Sequence, residues 1–197
     1  DLVNLFAEVK LSDMLISKID YGISEINLSY NYGDFFKTEQ KQISILNTLD
    51  FGTNKKIIFG YENRDQKRNP ASSGLSERKI NSIFLGYIAD FDKISIQFNI
   101  RNDDAADVGS ELTHLFGASY QLDDKKAVFF NVSTAFGIPT AYALSTNPFL
   151  IPENHDSHEM GFKYLTFGSA FTITFFENNT TNPITYDPSE GYIAKNF

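Results

Sequence analysis

Apolar and polar residues alternate with period two over most of this chain. From Lys93 to Arg101, the set Ile94, Ile96, Phe98 and Ile100 alternates with Ser95, Gln97, Asn99 and Arg101. The same pattern sets Ile26, Leu28, Tyr30 and Tyr32 against Glu25, Asn27, Ser29 and Asn31. It recurs with Phe116, Ala118 and Tyr120 against Gly117, Ser119 and Gln121, and with Phe171, Ile173 and Phe175 against Thr172 and Thr174. Each such segment has one greasy face and one wet face, which is the period of a strand and not of a helix. The alternation predicts about eleven antiparallel strands, near 3–19, 23–33, 39–50, 55–63, 78–89, 93–101, 111–121, 126–136, 157–166, 169–177 and 190–196. Ser12-Asp13 offers a turn that would split the first of them.

The links between these strands take turns in length. Gly33 to Thr38, Glu62 to Glu77, Asn102 to Ser110 and Gly137 to Asp156 are long, whereas Gly52-Thr53-Asn54, Asp90-Phe91-Asp92, Leu122 to Lys125 and Thr166 to Gly168 are short. Short turns at one end and long loops at the other are what an up-and-down outer-membrane barrel shows. A soluble sandwich has no general reason for this, although loops serving one binding site would also cluster at one end.

Aromatic residues on the apolar parity gather at both ends of the strands. Phe51, Phe91, Tyr120 and Tyr164 fall near the short turns, and Tyr32, Tyr61 and Phe136 near the long links. Membrane interfaces select two belts of this kind, while ordinary β-propensity enriches the same residues. Ile58, Phe84, Leu115 and Phe129 sit on the polar parity. They would pack against a plug inside a barrel, or they would mean that both faces of the sheet are buried in a soluble fold.

Composition changes this picture little. A chain of 197 residues is long enough for one domain. The absence of cysteine removes disulfides, thiolate metal sites and thiol catalysis. A net charge of -8 disfavours nucleic acid as a partner, since phosphate binding needs clustered Lys and Arg. No run reaches the roughly 18 apolar residues of a membrane-spanning helix, but barrel strands alternate, and the mean hydropathy of -0.26 is therefore neutral evidence. No signal-peptide pattern opens the sequence at Asp1-Leu2-Val3-Asn4.

A family resemblance rests on one continuous stretch. Phe136-x-x-Pro139-Thr140 is followed by Asn147-Pro148-x-Leu150-x-Pro152-Glu153 and then by Glu159-x-Gly161-x-Lys163-Tyr164. Asn99 to Asp104, Gly117 to Leu122 and Thr181 to Asp187 flank it. From Lys79 onward the chain resembles the barrel of TonB-dependent outer-membrane receptors, the cobalamin and siderophore branch especially. Gly137 and Ile138 depart from the basic residue and Ala usual there, and Asn102 from the usual Tyr. The resemblance implies residues 1–197 as one transmembrane barrel segment, with the plug domain and remaining strands lying outside it, and a bacterial outer-membrane location. It implies contact with the lipid bilayer and lipopolysaccharide, TonB engaged through the plug, and a small-molecule nutrient of siderophore or cobalamin type. The rival readings are a soluble or surface-exposed all-β binding protein and a small outer-membrane barrel without active transport.

No catalytic set emerges, and neither an enzyme activity nor a cofactor is expected. Glu153, His155, Asp156, His158 and Glu159 crowd one loop end, but residues i and i+3 of a strand point to opposite faces, so His155 and His158 make a poor metal pair. Asp103, Asp104 and Asp107 are rich in oxygen yet lack the calcium-loop spacing, and read as a polar turn. Calcium helps some cobalamin receptors, but the residues involved there do not map onto this segment. His114 is a lone histidine on the apolar parity and reads as structural. Asn27-Leu-Ser29, Asn131-Val-Ser133, Asn178-Asn-Thr180 and Asn179-Thr-Thr181 match the glycosylation triplet, a short pattern that strands hide. Ligand-contacting residues are not legible at this level.

Overall fold

The computed structural model describes residues 1–29, 35–69 and 77–197. Ten strands form one antiparallel sheet in simple chain order. They are β1 (Leu2–Lys10), β2 (Leu15–Ser29), β3 (Phe35–Asp50), β4 (Lys55–Asn69), β5 (Glu77–Phe91), β6 (Ile94–Ala105), β7 (Gly109–Asp123), β8 (Lys126–Gly137), β9 (Glu153–Thr166) and β10 (Ser169–Thr181). A helix, α1 (Ala141–Thr146), interrupts the link between β8 and β9, and a small ribbon of β11 (Ile184–Asp187) and β12 (Ile193–Asn196) follows β10. Among the described residues β1 and β10 are each paired on one side only, so the barrel wall is open.

Several boundaries differ from the sequence expectation. The first two strands break at 11–14 instead of 20–22, because the Ser12 hydroxyl accepts from the backbone N–H groups of Met14 and Leu15 at 3.2 and 3.1 Å and closes a turn. Asp20-Tyr21-Gly22 runs on as strand, Gly22 lying opposite Asn4. The segment near 190–196 does not join the sheet; β12 pairs only with β11. Most of the supposed long loops are strand as well. Arg64 to Arg68 belongs to β4, with Arg64 to Lys67 paired to both β3 and β5 and Arg68 to β3, and the link between β6 and β7 shrinks to residues 106–108. The alternation in link length survives with a smaller contrast: 106–108 is only one residue longer than its neighbours 92–93 and 124–125, while 138–152 far exceeds 124–125 and 167–168. Alternation of side chains stops where the apolar residues stop, but backbone pairing continues through polar residues. Tyr30, Tyr32 and the remainders of two links, 30–34 and 70–76, lie outside the described residues.

Register sorts the side chains into two faces, and it sets Ile26 and Leu28 on the polar one, because Ile26 lies opposite Thr38 and Thr38 opposite Arg68, so the greasy face expected at that end of β2 is not part of the belt. Tyr87 pairs with Phe98, Ala89 with Ile96 and Phe91 with Ile94, and these rows continue through Phe116, Ala118 and Tyr120 to Val132, Phe130 and Val128. The resulting apolar belt runs from Ile83 to Phe91 on β5, about 27 Å of strand, close to the band of roughly 25 Å in outer-membrane barrels. Tyr61, at its edge, donates its hydroxyl to Asn81 at 2.8 Å, and Lys55 sits over the Phe91 ring at the other edge, 5.0 Å from the centroid.

This belt is bare. Ile83 is 61% exposed, Met160 57% and Phe175 68%. The accessible surface is 12901 Å², against about 9,400 Å² for a compact globular chain of 22.3 kDa. A soluble sandwich would cover such a face with a second sheet, and no described element does so.

The other face carries the polar parity. Ile138, beyond β8, shares a cleft with Glu62 of β4, although four strand spacings, about 19 Å in a flat sheet, separate their strands. The sheet is thus curled toward its polar face, with the segment after β8 leaning over it. Phe84 and Phe129 find partners there that the sequence reading did not foresee. Each lies directly across from a glycine, Gly60 and Gly161, so that the ring covers backbone where no side chain stands. Arg101 and Lys163 cap the outer sides of the rings, with the charged groups 5.7 and 5.1 Å from the centroids.

Candidate functional site

Charged side chains concentrate on the polar face of β4, β5 and β6, toward the end that carries α1. One cross-strand row reads Ser44, Glu62, Ser82, Asp103, Glu111, and Arg101 reaches into it from the next row. The Arg101 guanidinium donates through Nε to Asp103 Oδ1 and Oδ2 at 2.9 and 3.0 Å, and through Nη2 to Glu62 Oε1 at 3.0 Å and Ser82 Oγ at 2.8 Å. Ser82 and Asp103 are buried and hydrogen-bonded to each other at 2.5 Å. Arg64 Nη2 donates to the same Glu62 oxygen at 2.9 Å, and Gln42 Nε2 donates to the other oxygen at 2.9 Å. The network is built because each strand contributes alternate residues to one face, so acids and bases on neighbouring strands meet at about 5 Å spacing.

A second anchor holds the links. Arg78 Nε donates to Asp107 Oδ2 at 2.8 Å, and Arg78 Nη2 donates to the Pro139 carbonyl at 2.7 Å. Pro139 is fully buried. The helix beyond it starts where Thr140 Oγ1 accepts from Ala143 N at 3.1 Å, a standard N-cap. The Asn-Pro-x-Leu-x-Pro-Glu stretch then works as a clasp. Asn147 Nδ2 donates to the Ala194 carbonyl at 3.0 Å, Leu150 packs with Ala143 and Ala194, and Glu153 Oε2 accepts from Ile184 N at 3.2 Å. Asn196 returns the grip, accepting from Ile151 N at 3.0 Å and donating to the carbonyls of Ile151 and Asn182 at 3.0 and 2.8 Å. Both proline-bearing motifs of the sequence reading meet here.

Two clefts adjoin these anchors. One of about 370 Å³ is lined by Glu62, Arg64, Ile80, Arg101, Asp103 and Ile138 among others. A second, of about 270 Å³, is lined by Gln66, Arg68, Arg78, Thr140 and Ala141 among others. Outside the apolar belt, Lys37 pairs with Glu25 at 2.8 Å and Lys67 with Glu77 at 2.9 Å. The hydrogen bond from the lysine is the largest cause holding each carboxyl below its ordinary range, and it raises each ammonium in turn.

The residues singled out in the sequence do not converge. His155 is on the polar face, 2.9 Å from Thr180 Oγ1, while His158 is on the apolar face opposite Val132. Asp103 and Asp104 are not a polar turn: β6 continues through both, Asp103 facing the charge network and Asp104 the opposite side. Only Asp107 lies in the link, held by Arg78. His114 is exposed, with its ring nitrogen 3.4 Å from Thr134 Oγ1. All four glycosylation triplets fall within strands. Among the described residues no three His, Asp or Glu side chains come together as a metal site would require. Sequence reasoning passed over Glu62, Arg64 and Arg78 because it placed the first two at or within a loop, although their common parity with Arg101 was visible.

An antiparallel meander with a bare apolar belt on one side and a hydrogen-bonded charge lattice on the other is the wall of a membrane β-barrel. A profile of the TonB dependent receptor-like β-barrel matches residues 10–196, and the chain belongs to that family. The vitamin B12 transporter BtuB of Vibrio cholerae serotype O1 is 28% identical over 115 residues, which is 56% of this chain and 19% of that protein. The fold is that of the siderophore receptor PirA from Pseudomonas aeruginosa, with TM-score 0.75 and 16% identity over 99% of this chain and 47% of that one. A variant of the ferric enterobactin receptor PfeA from the same organism gives TM-score 0.76 and 16% identity, over 93% of this chain and 34% of that one. The chain thus spans about a fifth of the length of the curated relative and less than half of these structures.

Proposed function

We propose that residues 1–197 are one segment of the transmembrane barrel of a bacterial outer-membrane receptor, and that the complete receptor imports a scarce nutrient of the cobalamin or iron-siderophore type with energy delivered through TonB. The observation that carries this reading is the pairing of a bare apolar belt with a charge-lined opposite face on the same ten strands. In this reading the belt meets lipid and lipopolysaccharide, the short turns face the periplasm, and α1 with its clasp stands at the extracellular end. The polar face lines the passage and meets a plug domain supplied by another part of the protein, through which TonB acts. The open edges at β1 and β10 require further strands, since unpaired backbone groups in hydrocarbon cost several kcal/mol each. No chemical step is assigned to any residue, and the role is that of a transporter.

Uptake of labelled cobalamin and of labelled ferric siderophores by cells expressing the full-length protein tests this. Uptake of one of them that stops when TonB is deleted is the expected outcome. Uptake that persists without TonB would leave a passive barrel, and recovery of the protein in the aqueous fraction without detergent would leave a soluble binding protein.

A further inference from the structure

Four phenylalanines with described side chains stand on the polar parity of the sheet: Phe6, Phe84, Phe129 and Phe176. Two are on inner strands, and two are on the edge strands β1 and β10. The inner two behave alike. Phe84 covers Gly60 and Phe129 covers Gly161, each directly across the ladder, and a Cβ on either glycine would run into the ring. The edge two have no such seat. Phe6 faces Asp20 and Phe176 faces Glu159, and the side chains are left 68% and 70% exposed. The nearby glycines on their paired sides are already covered, Gly22 by Asn4 and Gly161 by Phe129. Phe6 nevertheless has a cationic cap as the inner rings do, with Lys18 Nζ 5.2 Å from its centroid.

Backbone phase shows which side each edge ring serves. In an antiparallel ladder a residue turns its N–H and C=O toward one neighbour, and the next residue turns them toward the other. Asp1 and Glu25 exchange bonds of 2.9 Å, so odd residues of β1 serve β2, and Phe6 offers its N–H and C=O to the open edge. Leu165 N donates to the Lys125 carbonyl at 2.7 Å, so odd residues of β9, Glu159 among them, serve β8. Phe176 lies opposite Glu159 and therefore also offers its backbone groups to the open edge. The same phase makes Phe129 and Gly161 a hydrogen-bonded pair, and the bond from Asp90 N to the Asn54 carbonyl, 2.9 Å, does so for Phe84 and Gly60. Both edge rings thus stand toward the open side as both inner rings stand toward a glycine.

We infer that the strands joining β1 and β10 in the complete barrel each present a glycine directly opposite Phe6 and Phe176, and that the two rings close over these glycines as the joints of the segment. The inference rests on the proposed place of the chain within a larger barrel and specifies the strands it meets there. On a face curled inward, a ring of this size is seated where the facing residue has no side chain, and it shields the backbone left bare. Such a joint also fixes register. A slip of one residue would exchange the two faces, and a slip of two would set a side chain under the ring.

The test uses the full-length receptor in detergent, with any cysteine outside residues 1–197 replaced by serine, since this segment has none. Ala7→Cys, beside Phe6, and Glu177→Cys, beside Phe176, are each combined with single cysteines scanned along the strands outside the segment. Oxidative cross-linking then reads the register with both rings in place. Each is expected to link to the position immediately before a glycine, which sets that glycine opposite the ring. A link at either edge to a position followed by any other residue overturns the inference and leaves the larger barrel standing. No link to another strand of the same chain, or a link only between two copies, overturns the barrel reading with it. The second readout is the unfolding midpoint in lipid vesicles. Phe6→Ala should lower it in the native background and raise it once the facing glycine is alanine, as Phe84→Ala should with Gly60→Ala. A loss from Phe6→Ala that is equal in both backgrounds and vanishes when the plug is deleted overturns the inference and assigns the ring to the plug.

Discussion

The two faces of β6 show how differently one strand is stabilised on its two sides. Ile94, Ile96, Phe98 and Ile100 point one way, each opposite one residue of β5 and one of β7, with Ile94 and Phe98 44% and 40% exposed. Arg101 and Asp103 point the other way into hydrogen bonds with Glu62 and Ser82. The apolar side is incomplete by itself and takes its stabilisation from a surrounding hydrocarbon phase. The polar side is completed within the protein, because a charge on a half-buried wall must be matched by its neighbours. A barrel wall therefore stores its specificity on the side where geometry is exacting, and tolerates exchange of one apolar residue for another on the other side.

The largest expected break in that contrast is a charge in the belt. Phe98→Lys, opposite Tyr87 at the middle of the belt, should cost about 2 to 4 kcal/mol, whereas Gln97→Lys, one residue before it and facing the polar side, should cost far less. Equal losses in a lipid-vesicle unfolding titration would contradict the two-face assignment. Next comes Asp103→Ala. It strips partners from Ser82 and from Arg101 Nε and should cost about 1 to 3 kcal/mol in the same titration.

Gly60→Ala should cost about 1 to 2 kcal/mol. Its Cβ would meet the Ile45 carbonyl and stand 2.6 Å from Phe84 Cζ, so the ring and its Arg101 cap would be displaced. Partial restoration by a second change, Phe84→Leu, would tie that share of the cost to the covering ring, since the approach to the Ile45 carbonyl is left unrelieved. Asn196→Ala removes three hydrogen bonds of the clasp and should lower stability by about 1 kcal/mol or less, locally. Faster protease cutting between β11 and β12, with the barrel intact, is the signature.

The smallest effect concerns acid. Glu77 in the folded state has its carboxyl lowered by Lys67, so its contribution is fully present above the unfolded value of 4.5 and is lost as pH falls through the lower folded value. Amide exchange at the Lys67 and Glu77 ends of β4 and β5 should therefore quicken in that acid window and stay unchanged near neutrality. The pair is exposed and screened, and salt should mimic part of the effect.

Period-two alternation determined, without coordinates, that the chain is all-β and antiparallel, and on β6, β7 and β10 which residues share the belt; on β2 it assigned Ile26 and Leu28 to the greasy face, whereas the register puts them on the face of Thr38 and Arg68. Side-chain parity is a local property of the backbone, so Ile94 to Ile100 are legible from spacing alone. The Phe136 to Tyr164 motifs likewise carried the family, because a shaped link needs proline, asparagine and glutamate in fixed order. Other features depended on residues distant in sequence. Strand ends at Asn69, Ala105 and Thr181 are set by backbone pairing that polar side chains do not reveal. Phe84 on the polar parity looked anomalous until Gly60, 24 positions away, was found beneath it. The charge network spans Gln42 to Asp103, and the Arg78 anchor reaches Pro139, 61 residues on. Such contacts are fixed by register and by the curl of the sheet, and only the folded wall brings their partners within hydrogen-bond reach.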